Sequence, residues 1–157
     1  MTSTVATVSD LRDRVDSQRI AMVSTVDERG TISSRPITIQ QFDDSGDLWF
    51  LVDRNADWVA PAESSAVGAT IIDDGETWLS FSGRAALADD KATLDAFTGP
   101  MSDAFFGDDS DPVVLRIATD RVEWWSAPGK LTQAFELAKA KLTDSQPNMG
   151  DSGSIDV

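Results

Sequence analysis

Cysteine, histidine and tyrosine are all absent from the 157 residues. Without cysteine there are no disulfides and no thiol chemistry. Without histidine there is no Ser-His-Asp or Cys-His catalytic group, and no histidine-ligated zinc or iron. A carboxylate-only site for a hard cation is what remains for a metal. Basic residues are scarce: 13 Lys and Arg stand against 27 Asp and Glu, for a net charge of −14. Nucleic acid and anionic membranes both need basic surface, so neither is an expected partner. The charge favours solubility and reads as an ordinary acidic surface, with salt adaptation as the alternative. There is no apolar run of about 18 residues, so no membrane-spanning helix is expected. The first residues have no basic region ahead of an apolar stretch, so no signal peptide is expected, and a cytoplasmic location is the default. Nor is there a glycine-rich phosphate loop; the glycines stand singly, mostly beside Asp, Ser or Glu, as turn glycines do.

What is present is a succession of short β-rich runs. "VSDLRDRVDSQ" (8–18) predicts a short amphipathic helix from Val8, Leu11 and Val15, with Ser9 as N-cap. "RIAMVSTV" (19–26), "TISSRPITIQQF" (31–42) and "DLWFLVD" (47–53) predict three strands joined by the turns "DERG" and "DDSG". "RNADWVAPAESSA" (54–66) holds at most a short helix because of Pro61. "VGATIIDD" (67–74) and "TWLSFSGRAALA" (77–88) form a hairpin around "DDGE". "DDKATLDAFTG" (89–99) is a helix with Asp caps, and "PMSDAFFGDDSDP" (100–112) a loop or short helix. "VVLRIAT" (113–119) and "RVEWWSA" (121–127) are read as the last two strands. A helix over 130–142 carries Leu131, Phe135, Ala138 and Leu142 on one face. Residues 143–157 are polar and expected to be a disordered acidic tail. Residues 1–142 then make one domain. It is mainly β with short helices, an antiparallel sheet closed or nearly closed into a small barrel.

The acidic groups Asp43-Asp44, Asp73-Asp74-Glu76 and Asp108-Asp109-Asp111 lack the spacing of a calcium loop and read as solvated turns. Two features carry more. In "SSRPITIQ", alternation puts Arg35, Ile37 and Ile39 on one face and Ser34, Pro36, Thr38 and Gln40 on the other. Proline there implies an edge or a bulge. Arg35 is either a rim arginine paired with an acid or an anion contact. The second feature is tryptophan, five of them beside no tyrosine. Trp124 and Trp125 are consecutive in a strand, so they cannot both face one core. A large planar ring at a strand end suits an oligomer interface or a flat heteroaromatic ligand.

The ordered set "RIAMVSTVDERGTISSRPITIQQ", "DLWFLVDR", "SFSGRAALADD" and "RVEWWSAPGK" resembles the general stress protein 26 family. That family belongs to the pyridoxamine 5′-phosphate oxidase-like FMN-binding split-barrel proteins. The resemblance covers roughly residues 8–142. It implies a split β-barrel working as a homodimer, with two FMN sites at the interface. It implies cofactor contacts from Arg35, from the backbone around Ile37 and Thr38, and from Gln40, which stands where related oxidases have a lysine. Val52 and Asp53 would follow at the end of the third strand. The partner chain would bring the strands bearing Trp78 and Trp125. Trp124 would then pack inward while Trp125 covers the flavin or the dimer seam.

The match breaks in two places. After "LVDR" similar proteins carry a serine and then a lysine on the FMN phosphate. Here Ala56, Asp57 and Trp58 follow Asn55. A charge-assisted hydrogen bond is typically worth about 1.5–3 kcal/mol, so losing two weakens binding by about two to four decades. True pyridoxamine phosphate oxidases also use an arginine and a histidine after the tryptophan loop. Lys130 is the nearest cation here and the only candidate substrate contact, so vitamin B6 oxidation is not expected. The leading expectation is an FMN-binding general stress type protein, with an oxidoreductase activity of unknown substrate. A cofactor-free split-barrel dimer acting as a binding protein is the alternative that "NADWV" favours. A deazaflavin-dependent reductase shares the fold, but its acidic cofactor suits a chain short of basic residues poorly.

Overall fold

A computed structural model describes residues 7–73, 77–126 and 151–157. The chain opens with α1 (Val8–Gln18), which buries Leu11 and Val15. Its N-cap is Thr7 rather than the expected Ser9. The Thr7 hydroxyl accepts the Asp10 N–H, and the Asp10 carboxylate accepts the Thr7 N–H in return. This reciprocal pair satisfies two donors that a helix start leaves open. Then come β1 (Ile20–Val26), β2 (Ile32–Phe42), β3 (Leu48–Asp53), α2 (Val59–Ala62), β4 (Ala66–Asp73) and β5 (Thr77–Ala88). The helices α3 (Lys91–Phe97) and α4 (Pro100–Phe105) lead to β6 (Pro112–Ser126) and β7 (Asp151–Asp156). The helix expected over 130–142 and the turn at 74–76 lie outside the described residues.

The sheet order is β3-β2-β1-β4-β5-β6-β7, every pair antiparallel, and β3 also pairs with β6. That extra pairing closes six strands into a barrel, with β7 added outside it. The split-barrel expectation therefore holds. β3 reads "LWFLVD", nearly continuous in apolar residues, as suits a strand paired on both edges and buried among neighbours. The core is built from Phe42, Phe50, Phe81, Leu48, Ile71, Leu79, Leu115 and Ile117. Phe42 meets Phe81 edge-on at 5.8 Å.

Two expectations need correction. The strands expected at 113–119 and 121–127 are one strand. Thr119 lies opposite Gly83 and Arg121 opposite Ser82, so Asp120 is an extra residue bulged out of the ladder. A bulge bends a strand without ending it. Residues 112–117 pair with β3, and 121–126 turn away to pair with β7. The second correction concerns the tail: Asp151–Asp156 is a strand, and only 143–150 of the expected disordered stretch stays outside the described residues. Arg121 reaches from β6 to Asp156 at 3.1 Å and to the Ser154 hydroxyl at 2.9 Å.

Trp124 packs against the core, and Gly153 of β7 lies directly against its indole. A Cβ at Gly153 would sit 2.8 Å from three atoms of that ring. Gly153→Leu is therefore expected to displace β7, to cost about 1–3 kcal/mol, and to shift Trp124 emission to the red. Urea unfolding followed by tryptophan fluorescence checks this; an unshifted spectrum and midpoint would refute the packing.

One partly buried ion pair ties the closure together. Asp47 is buried, and its carboxylate accepts from the Arg116 guanidinium, with Nε at 2.7 Å, and from the Thr119 N–H at 2.9 Å. The turn before it is organised by Asp43, whose carboxylate takes the N–H of Ser45, the N–H of Asp47 and the indole N–H of Trp49. Burial pushes the Asp43 carboxyl up, but those hydrogen bonds and Arg116 together hold it below the ordinary carboxylate value. No helix among the described residues is long and apolar enough to cross a membrane.

Candidate functional site

β2 pairs with β1 along its whole N-terminal part, from Ile32 to Thr38, and with β3 only from Ile39 onward. Between Ile39 and Gln41 the register slips, leaving Gln40 bulged. Among the described residues, 32–38 thus keep one open edge, where Pro36 needs no ladder partner for its missing N–H. Both possibilities raised by the proline occur in the same strand: an edge at Pro36 and a bulge at Gln40.

That divergence opens a groove of about 980 Å³. Residues 36–41 of β2 and Leu51 line one side; Ala96–Pro100, Ser102, Phe105 and Phe106 line the other, with Arg19 also on the lining. Phe97 is steadied by stacking on Trp49 at 6.0 Å and 19°. Among these residues there is no carboxylate, and the single charged side chain is Arg19. A volume of this size, with aromatic and aliphatic side chains beside the polar Thr38, Gln40, Gln41, Thr98 and Ser102 and a single charge, has the form of a small-molecule site.

Arg35 lies apart from this groove, lining a second cavity of about 400 Å³ with Thr25, Asp27, Glu28, Arg29, Ser33, Asp57 and Trp58. The alternation expected for β2 holds: Arg35 and Ile37 are half-buried and Ile39 buried, while Ser34, Pro36, Thr38 and Gln40 are exposed. The Arg35 guanidinium donates to the Thr25 hydroxyl at 2.7 Å, the Ser33 hydroxyl at 2.5 Å and the Val23 carbonyl at 3.3 Å. Its flat face lies 4.6 Å from the Trp58 ring centre. Burial lowers its pKa from the ordinary arginine value, and nearby Asp57 opposes that shift.

These contacts test the fit of FMN. The flavin ring suits the aromatic walls of the groove. The phosphate does not suit the Arg35 cavity. There the guanidinium is already held by three oxygens and an indole, and three carboxylates share the lining. A phosphate dianion would displace settled hydrogen bonds and face like charge.

The other residues singled out from sequence are dispersed. Ile37, Thr38 and Gln40 line the groove. Val52 is buried in the core. Asp53 accepts the N–H groups of Asn55 at 3.0 Å and Asp111 at 3.1 Å, and so organises a turn. Arg54 pairs with Asp89 and Asp111. Trp78 and Trp125 face each other across β5 and β6, 36% and 46% exposed, on the outer surface. Ile20, Met22 and Ile72 are exposed on neighbouring strands of the same sheet. Lys130 lies outside the described residues. Among the described residues no group of three or more acids is arranged to hold a metal ion.

Sequence reasoning missed two parts of the groove. The stretch carrying Phe97, Phe105 and Phe106 read as a helix end and a loop; three phenylalanines flanking Gly99-Pro100 in an otherwise polar segment were the available signal. Arg19 read as the first residue of a strand. It is instead the C-cap of α1, in left-handed backbone with φ 56°.

Residues 6–148 match the family model described as "Pyridoxamine 5′-phosphate oxidase like". No curated protein matches the sequence. Among solved structures, one described as a general stress protein 26 from Jannaschia sp. CCS1 is 26% identical. The alignment covers 94% of this chain and 96% of that one, with a TM-score of 0.67. A general stress family protein from Xanthomonas campestris pv. campestris is 25% identical over 80% of this chain and 93% of its own, at a TM-score of 0.64. The general stress FMN/FAD binding protein of Xanthomonas citri is 24% identical over 75% and 89%, at 0.61. With the closed barrel, the split in β2 and a family match over nearly the whole sequence, the chain belongs to the pyridoxamine 5′-phosphate oxidase-like family.

Proposed function

We propose that the protein binds a flavin in the groove between β2 and the α3–α4 segment, and that it does so as a homodimer. The observation that carries this reading is the groove itself: partly apolar, aromatic on one side, and with no carboxylate among the described residues that line it, in a chain of net charge −14. The name of the Xanthomonas citri structure, an FMN/FAD binding protein of the same fold, supports it. Bound flavin supplies redox chemistry, and the protein's part is to hold the ring and exclude water. No lining side chain is a general acid or base near neutral pH, so an oxidoreductase role would rest on the ring alone. The outer face supports the dimer. Ile20 lies opposite Thr38 and Met22 opposite Pro36, which makes the exposed apolar surface continuous with the groove strand. A second copy is the occupant such a surface suits, and it would bring Trp78 and Trp125 toward the groove. A cytoplasmic location goes with this reading.

A second reading, a cofactor-free dimer acting as a binding protein, is favoured by Trp58 and Asp57 beside Arg35. Titration with FMN, followed by flavin absorbance and tryptophan quenching, separates the two. Saturable binding at micromolar or tighter, about −8 kcal/mol or better, is the expected result. No binding at millimolar FMN would leave the cofactor-free reading. Sedimentation should return twice the chain mass; a monomer at all concentrations would contradict the dimer.

A further inference from the structure

We infer that Arg19 is the anion contact of the groove. A ligand with a planar aromatic body would lie on the walls, and a single negatively charged group on it, phosphate or carboxylate, would reach the Arg19 guanidinium instead of Arg35. This rests on the flavin reading for the planar body, and adds where the charge goes and which residue reads it.

Three observations support it. The first is conformational. Arg19 is the only described non-glycine residue with positive φ. A helix C-terminal position in that region is ordinarily glycine, because a Cβ there is strained. Arginine in its place forgoes stability, and retained strain of this kind points to a use for the side chain. The second is anchoring. The Arg19 N–H bonds the Val15 carbonyl at 3.1 Å, and its own carbonyl accepts the Ile39 N–H at 2.7 Å. The backbone is therefore fixed to both α1 and the groove strand, while the side chain is exposed and has no hydrogen-bond or ion-pair partner among the described residues. The third is contrast. Arg12, Arg54, Arg116 and Arg121 are all paired with acids, and Arg35 is enclosed by oxygens and Trp58. Among the described residues the Arg19 side chain has no partner, and those that line the groove include no acid. An anion meeting it displaces no existing bond and faces no like charge from the walls.

The test compares FMN with riboflavin, the same ring without phosphate, on the full chain and on Arg19→Gly and Arg35→Ala. Glycine accepts the left-handed backbone without strain. Arg19→Gly should therefore keep or raise the melting temperature, which separates loss of the side chain from loss of the fold. The parent protein is expected to bind FMN at least about tenfold more tightly than riboflavin, as one charge-assisted contact allows. Arg19→Gly should bring FMN to the riboflavin affinity and leave riboflavin within about twofold. Arg35→Ala should keep the ratio. A ratio preserved in Arg19→Gly, or lost in Arg35→Ala alone, overturns the assignment while leaving the flavin reading intact. Equal affinity for the two flavins in the parent overturns it too. If neither flavin binds, the flavin reading falls, and this inference with it.

Discussion

Thr38→Trp is expected to lower flavin affinity by at least about a hundredfold while the melting temperature stays within a few degrees of the parent. Thr38 lies on the exposed side of β2, opposite Ile20, and lines the groove. Tryptophan is well accepted in strands, and here it displaces no buried neighbour. Its indole would fill space that the ligand ring needs between β2 and Phe97, Phe105 and Phe106. Calorimetric or fluorescence titration, paired with a thermal melt, reads both parts. Retained affinity in a folded variant would move the ligand to another face of the barrel.

Gly83→Ala is expected to cost at least about 3 kcal/mol, at the upper end of overpacking effects. A methyl at Gly83 would stand 2.0 Å from the Ala118 carbonyl oxygen and 3.0 Å from the Thr119 Cα. Both contacts are backbone, so no side chain can move aside. The closeness comes from the bulge at Asp120, which bends β6 toward β5 at the point where it leaves β3 for β7. Glycine in a strand interior often marks such an approach. The urea midpoint is the measure, with an unchanged slope distinguishing lost stability from a changed denatured state. An unaltered midpoint would contradict the bulge as described.

The sequence was most legible where the physics is local. Period-two alternation placed Arg35, Ile37 and Ile39 on one face and Thr38 and Gln40 on the other, and β2 follows it. The same argument separated Trp124 from Trp125: the first packs on the core and the second is exposed. The expected Asp cap of α3 holds as well, with Asp90 accepting the Thr93 N–H. What escaped depended on distant partners. "TDR" reads as a break between two strands, yet Asp120 is a bulge within one, at the close approach of Gly83. "DSGSID" has the composition of a disordered tail, but its pairing uses backbone groups and Arg121, to which composition is blind. Asp47 reads as the first residue of a strand. It is buried because Arg116, 69 positions away, folds onto it. Arg19 was hidden for a related reason: nothing in "SQRIA" says that the backbone turns left-handed there.

Strand order carries one part of the resemblance and does not reach the other. The barrel and the family stand on an ordered series of strands. The individual cofactor contacts depend on where each side chain settles. Trp58 took the face of Arg35, Asp53 took a turn, and Val52 went into the core.

The most direct test is the location of bound flavin by backbone amide chemical shifts on isotopically labelled protein during a riboflavin titration. Riboflavin isolates the ring from any question of phosphate. Shifts should concentrate at residues 37–41 and 96–106, excluding Pro100, and include Arg19. Shifts confined to the Arg35–Trp58 cavity, or to the cavity lined by Arg14 and Trp124, would contradict the groove as the binding site.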